Sequence, residues 1–142
     1  MITLPEDSIL AAHDAKQKSP AELAFVGDAV YETLVREHIS LHHDAPASQL
    51  HKLAVTYVRA EAQQKAFESI SQMLSEEEMT VFKRGRNANK VTASKNADIT
   101  AYRTSTGVEA LFGFLYLTGE NERIRELFSK IVENTENAAP QQ

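Results

Sequence analysis

The chain has 142 residues, no cysteine and a formal net charge of −5. That length suits one domain with a single core, and the absence of cysteine excludes disulfides and thiolate zinc sites. No apolar run approaches the roughly 20 residues of a membrane span, and Met1-Ile2-Thr3-Leu4-Pro5-Glu6-Asp7 has neither the basic start nor the apolar core of a signal peptide, so a cytoplasmic protein is expected.

Helical signals dominate, and no strand pattern is convincing. Ser19-Pro20-Ala21-Glu22 opens the first clear helix, with Ser19 as N-cap, Pro20 at N1 and Glu22 as capping-box acid. This helix should run to about Ile39, before a loop at His42-His43-Asp44-Ala45-Pro46. A long helix is expected from about Ala47 to Met73, with Leu50, Leu53, Ala54, Tyr57 and Val58 along one stripe. Ser75-Glu76-Glu77-Glu78 reads as a second capping box, opening a short helix through about Lys83. Residues 84–97, with Gly85, Asn87, Asn89 and Asn96, read as a polar loop of the kind that carries function. Asp98 is expected to cap the next helix, which ends near Gly119. A last helix covers about Asn121 to Val132, and the tail after about Asn134 should fray. The whole reads as one all-α domain over residues 1–142, with its core in about 19–132.

Charge is unevenly spread. Lys83, Arg84, Arg86, Lys90, Lys95 and Arg103 face only Asp98 in their stretch, whereas acid collects at Glu76-Glu77-Glu78 and in the tail. Such a patch can bind phosphate on an acidic protein, because contacts within a Debye length of about 8–10 Å dominate.

Two carboxylates lie in apolar surroundings: Asp28 in Leu23-Ala24-Phe25-Val26-Gly27-Asp28-Ala29-Val30-Tyr31, and Glu109 at the head of Glu109-Ala110-Leu111-Phe112-Gly113-Phe114-Leu115. Both stretches are apolar enough to be buried, and a buried carboxylate is costly without a cation, a proton or strong hydrogen bonds. Leu23, Val26, Val30 and Leu34 form one stripe of the first helix. Asp28 falls on the far side beside Ala24, Phe25 and Val35, so this helix is apolar on both faces, as at a packed or subunit interface. Gly27 and Gly113 each cost about 1 kcal/mol relative to alanine in a helix interior. A crossing of the two helices at these glycines would explain that cost and bring Asp28 to Glu109, where the pair could share a divalent metal.

These residues resemble the ribonuclease III family. Leu23-Ala24-Phe25-Val26-Gly27-Asp28 is similar to its signature, and Thr106-Gly107-Val108-Glu109-Ala110-Leu111-Phe112-Gly113 to its second motif. Gly27 to Glu32, Arg84-Gly85-Arg86-Asn87-Ala88 and Tyr102-Arg103-x-Ser105-Thr106 are similar to the Mini-ribonuclease III branch, which has the catalytic domain alone. The resemblance covers about residues 19–132. It implies an all-α, endonuclease-domain-like helical bundle that acts as a homodimer, away from membranes. It further implies Mg²⁺-dependent cleavage of double-stranded RNA (Mn²⁺ substituting), directed at the 23S ribosomal RNA precursor, with a ribosomal protein as candidate helper.

The chain departs from the full-length family at two acidic positions, where it has Ala24 and Thr106. Asp28 and Glu109 are then the expected catalytic and metal-binding pair, with one Mg²⁺ rather than two, since two ions about 3.5–4 Å apart normally need several carboxylate bridges. Glu32 and Thr106 are each either neighbours of the metal's hydration shell or ordinary helix residues. Phe25 matches the plug of the family's dimer interface, against the alternative of an intramolecular core. Arg84, Arg86, Asn87, Lys90 and Lys95 are assigned to RNA, with Asn89 able to reach 2′-hydroxyls. Two rivals remain: an HD-type metal phosphohydrolase using His42-His43-Asp44 and His13-Asp14, for which only His38 and His51 would be left as further ligands, and a non-catalytic RNA-binding or dimerisation module.

Overall fold

A computed structural model describes residues 2–88 and 96–138. Seven helices are seen among them: α1 (Ala12–Lys16), α2 (Pro20–His42), α3 (Ala47–Val58), α4 (Ala60–Ile70), α5 (Glu76–Ala88), α6 (Asn96–Leu117) and α7 (Asn121–Ala138). Short 3-10 turns lie at Glu6–Ser8 and Ser71–Met73, and the described residues contain no strand. The all-α expectation holds.

α6 is the central helix, packed by α2, α4, α5 and α7. Six consecutive residues, Ala110 to Leu115, are buried, the behaviour of a helix covered on every side. Its closest contact is with α2. A Cβ added to Gly27 would lie 1.6 Å from the Glu109 carbonyl oxygen, and one added to Gly113 would lie 1.9 Å from the Leu23 carbonyl oxygen. The two helices therefore touch backbone to backbone. Around this crossing Tyr31 packs edge-on against Phe112 and Phe128, with ring centroids 5.3 and 5.9 Å apart, and Phe67 stacks on Phe82 at 3.8 Å.

The helix ends follow their caps in most places. The Ser19 side chain accepts from the Glu22 backbone N–H at 3.1 Å. The Glu22 carboxylate takes the Lys18 ammonium at 2.9 Å, however, so only half of the expected capping box is present. Ser75 and Glu78 complete theirs: Ser75 N–H donates to Glu78 Oε1 at 2.8 Å, and Glu78 N–H donates to Ser75 Oγ at 3.1 Å. Glu78 is also buried against Arg123, whose Nε donates to it at 2.9 Å. Its carboxyl lies below its ordinary value because the guanidinium and the Ser75 amide outweigh desolvation, which pulls the other way. α6 ends in a Schellman turn: Gly119 has φ +73°, and Glu120 N–H bonds the Leu115 carbonyl at 2.8 Å.

Five helix boundaries differ from expectation, among them the start of α6, which lies at Asn96, so Asp98 stands inside the helix rather than at its cap. The long helix of residues 47–73 is broken at Arg59, which is extended at φ −63°, ψ 156°. The Val58 carbonyl is satisfied there by Nε2 of Gln63, at 2.8 Å. α2 continues past Ile39 to His42. α5 runs through residues 84–88, expected as loop, because Gly85 is a contact rather than a breaker: its Cβ position lies 2.7 Å from the Ala110 Cβ. α7 passes Val132 and reaches Ala138, where Glu136 meets His38 Nε2 at 2.9 Å and accepts from Tyr57 at 3.3 Å.

Ordinarily an interior Gly→Ala change stabilises a helix by about 1 kcal/mol. Here Gly27→Ala and Gly113→Ala should each destabilise by about 3 kcal/mol or more, because the added methyl meets backbone that cannot yield as a side chain does. Urea midpoints check this; an unchanged or raised midpoint in both variants would refute the backbone contact.

Candidate active site

The crossing determines the site. Asp28 follows Gly27 on α2, and Gly27 lies on the Glu109 carbonyl of α6, so both carboxyls emerge at the same junction. Glu109 is half-buried and its carboxyl is pushed up to about 7, first by desolvation and then by the Asp28 charge, while the Gln63 amide opposes the rise. Tyr31, 1% exposed, also has its phenol raised, by burial first and by Glu109 second. Two acids this close in a half-dry environment hold a proton or a cation between them.

The expectation that both carboxylates are buried needs correction. Asp28 is exposed and Glu109 only half-buried. Of the far side expected around Asp28, Ala24 and Val35 are buried within the chain, and only the strip of Phe25, Asp28 and Ala29 is uncovered. Phe25 is 80% exposed, which removes the intramolecular-core alternative for it.

Gln63 was not singled out from the sequence. It is 3% exposed on α4, with Nε2 donating to the Val58 carbonyl at 2.8 Å and reaching Glu109 Oε2 at 3.5 Å. A signal did exist, since Gln63 shares the buried stripe of α4 with Ala66 and Ile70 at helical spacing. A polar residue on such a stripe calls for partners.

The remaining expected residues divide clearly. Glu32 accepts from Arg36 at 2.9 Å, an i,i+4 surface pair. Thr106 Oγ1 donates to the Tyr102 carbonyl at 3.0 Å, bonding its own helix. Arg84 is half-buried, with Nη1 donating to the Lys16 carbonyl at 3.2 Å. Arg86 Nε donates to Asn87 Oδ1 at 3.1 Å, with its guanidinium 5.7 Å from the Phe82 ring centre. Asn89, Lys90 and Lys95 lie outside the described residues. His13, Asp14, His42, His43, Asp44 and His51 are exposed, and His38 is occupied by Glu136. Among the described residues no group of three or more His, Cys, Asp or Glu side chains is placed to hold a metal ion, so the HD-type ligand set is not assembled there. The Asp28–Glu109 pair is smaller than such a group. Oxygen donors, mutual repulsion and a neighbouring amide nevertheless fit a hard divalent cation.

Residues 21–120 match the model of the ribonuclease III domain. The chain is 44% identical over 120 residues to the Mini-ribonuclease 3 of Clostridium tetani, covering 84% of this chain and 80% of that protein. It is 46% identical over 114 residues to that of Brevibacillus brevis, covering 80% and 85%, and 41% identical over 130 residues to that of a Thermoanaerobacter strain, covering 92% of each. A crystal structure of a Fusobacterium nucleatum protein superposes with a TM-score of 0.74 at 28% identity, over 86% of this chain and 98% of that one.

The electrostatics generate a pH dependence with a definite sign. Glu109 is raised from its ordinary 4.5 to about 7, so between these values the unfolded chain has released a proton that the folded chain keeps. Stability should therefore fall as pH rises through 4.5–7 and level off above. Without metal, ¹³C-glutamate NMR should find one carboxyl titrating near 7, and Asp28→Asn should move it toward its ordinary range. A Glu109 titrating near 4.5 in the wild type would refute the pairing.

Proposed function

The chain belongs to the ribonuclease III family and is an endoribonuclease of that type, and we propose that it cleaves double-stranded RNA with Mg²⁺, maturing the ends of the 23S ribosomal RNA precursor. The observation that carries this reading is the meeting of Asp28 and Glu109 across the glycine crossing, with Glu109 pushed up to about 7. Asp28 and Glu109 would hold the cation, with Mn²⁺ able to replace it. When bound, the cation supplies Lewis acidity at a phosphoryl oxygen and an acidified water at neutral pH. Glu109, drawn into the fold by α6, fixes the inner side of the centre, whereas exposed Asp28 leaves its outer side open to a phosphodiester.

A duplex is recognised largely through phosphates and 2′-hydroxyls across its minor groove. Arg86 and Asn87 stand in the last turn of α5, which Gly85 seats directly on α6, the helix carrying Glu109. With Arg84, and with Lys90 and Lys95 further along the chain, they form the proposed RNA contact. Arg84 already donates to the Lys16 carbonyl, so Arg86 and Asn87 contribute more of it.

The dimer is part of the same proposal. Phe25 stands 80% exposed on the face of α2 that also carries Asp28. An aromatic ring so placed is stabilised by entering a socket on a second copy. Two centres would then lie across one interface, each cutting one strand. No described helix is long and apolar enough to cross a membrane, in keeping with the proposed cytoplasmic substrate.

Internally labelled double-stranded RNA should be cut with Mg²⁺ and not with EDTA. Asp28→Asn should lose cleavage while still binding the duplex, and full activity in that variant would refute the assignment of the centre. Arg84→Ala combined with Arg86→Ala should weaken binding and flatten the plot of log affinity against log salt by about 1–2; an unchanged slope would remove α5 from the interface. Phe25→Asp should halve the mass seen by sedimentation equilibrium, and an unaltered dimer would exclude the plug.

A further inference from the structure

Gln63 is more constrained than a surface-facing amide. Its Nε2 carries two N–H groups, and both have acceptors: the Val58 carbonyl at 2.8 Å and Glu109 Oε2 at 3.5 Å. The first exists because the chain is extended at Arg59, which frees the last carbonyls of α3 from the helical ladder. The amide cannot be reversed, since the oxygen would then face a carbonyl and a carboxylate, both acceptors. Its Oε1 is accordingly fixed on the other branch of the same planar group, and there it has no hydrogen-bond partner among the described residues, in a side chain only 3% exposed. A second buried oxygen, Tyr31 Oη, is likewise unpartnered, and its phenol senses the Glu109 charge. Buried polar atoms normally find partners. Such an exception in a side chain that is itself bonded to Glu109 marks a place where water belongs.

We propose that Gln63 is a positioning residue of the Asp28–Glu109 centre: its amide nitrogen holds the Glu109 carboxylate, and its carbonyl oxygen accepts a hydrogen bond from the hydration shell of a divalent cation bound there. The assignment rests on the metal-dependent reading given above and deepens it. A two-carboxylate centre leaves most of a Mg²⁺ coordination shell to water, and those waters are donors that need acceptors nearby. Oε1 of Gln63 is a neutral acceptor, already oriented by Val58, which adds no charge to a site that must also admit phosphate. Outer partners of this kind typically change metal affinity or activity by about 10–100-fold.

The test compares wild type, Gln63→Leu, Gln63→Glu and Asp28→Asn as full-length, EDTA-treated proteins. Mn²⁺ binding is measured by calorimetry without RNA, melting is followed in EDTA, and cleavage is titrated with Mg²⁺. Gln63→Leu should bind Mn²⁺ about 10–100-fold more weakly and should need correspondingly more Mg²⁺ to reach its maximal rate. Gln63→Glu keeps an oxygen at the Oε1 position and should bind Mn²⁺ as well as wild type or better. Both variants lose the N–H donor to Val58. A purely structural role therefore predicts equal loss in both, and that result would overturn the proposal, as would unchanged Mn²⁺ affinity in Gln63→Leu. Should Gln63→Leu fail to fold, folded Gln63→Glu decides: retained Mn²⁺ binding supports the assignment, and lost binding overturns it. Asp28→Asn separates the two readings. If it loses Mn²⁺ while Gln63→Leu keeps it, only the role of Gln63 falls; if it binds as wild type does, the metal centre itself falls.

Discussion

The backbone contact between α2 and α6 is the constraint on which the rest of the molecule depends. Gly27 sits on the Glu109 carbonyl and Gly113 on the Leu23 carbonyl, so the helices approach more closely than any pair of side chains would permit. This proximity is what makes two acids 81 residues apart in sequence into neighbours in space. Asp28 is adjacent to one glycine, and Glu109 lies one helical turn before the other, so any added bulk at the crossing would push the carboxyls apart along with the helices. Site and core are thus one object: the burial of Ala110 to Leu115 on every side of α6 holds Glu109 where α2 can meet it.

The two carboxylates are unequal because their helices have unequal surroundings. α6 is enclosed by α2, α4, α5 and α7, and its glutamate is half-buried. α2 is packed by α6, α3 and α5 but leaves the strip around Phe25, Asp28 and Ala29 uncovered, so its aspartate is exposed together with Phe25. Desolvation therefore acts mainly on Glu109 and is the largest cause of its raised pKa, with the Asp28 charge second. A centre with one dry and one wet side suits a polyanionic substrate. Full burial would deny a phosphodiester access, and full exposure would screen the field that the pair creates. α2 reads as apolar on both sides because Ala24 and Val35, expected on the far side, are buried within the chain, whereas Phe25 beside them is left exposed.

Much of this was legible in the chain. Ser19 and the Ser75–Glu78 pair marked helix starts through side-chain chemistry, and Gly119 marked an end through its positive φ. Glycines inside apolar helices, each beside or one turn from an acid, pointed to the crossing. What escaped depended on tertiary contact. Nothing local breaks the chain at Arg59, where neither Gly nor Pro stands; the break is compensated by the side chain of Gln63. Gly85 suggested a loop because glycine disfavours helix, yet its missing Cβ is what admits Ala110. α7 outlasts its periodic stretch because Glu136 has partners on α2 and α3. Asp28 was expected to be buried because hydropathy records how apolar a face is and not whether anything covers it.

The shortage of acids makes the neutral groups around the pair more consequential. At the two positions where the resemblance to the full-length family implies further carboxylates, the chain has Ala24 and Thr106. Ala24 is buried and adds no charge, and the Thr106 hydroxyl is turned back onto the Tyr102 carbonyl. With four carboxylates, repulsion alone would secure a cation, at the cost of destabilising the empty fold. With two, the repulsion is confined to a single pair, which a proton near neutral pH can relieve. The chain is then less strained, but each carboxylate of the proposed centre must be held in place by something other than charge. The amide of Gln63 on α4 donates to Glu109, and the Asp28 charge, after desolvation, raises its pKa. The break at Arg59, which turns Gln63 inward, is therefore as much a part of the centre as the glycines that bring the acids together.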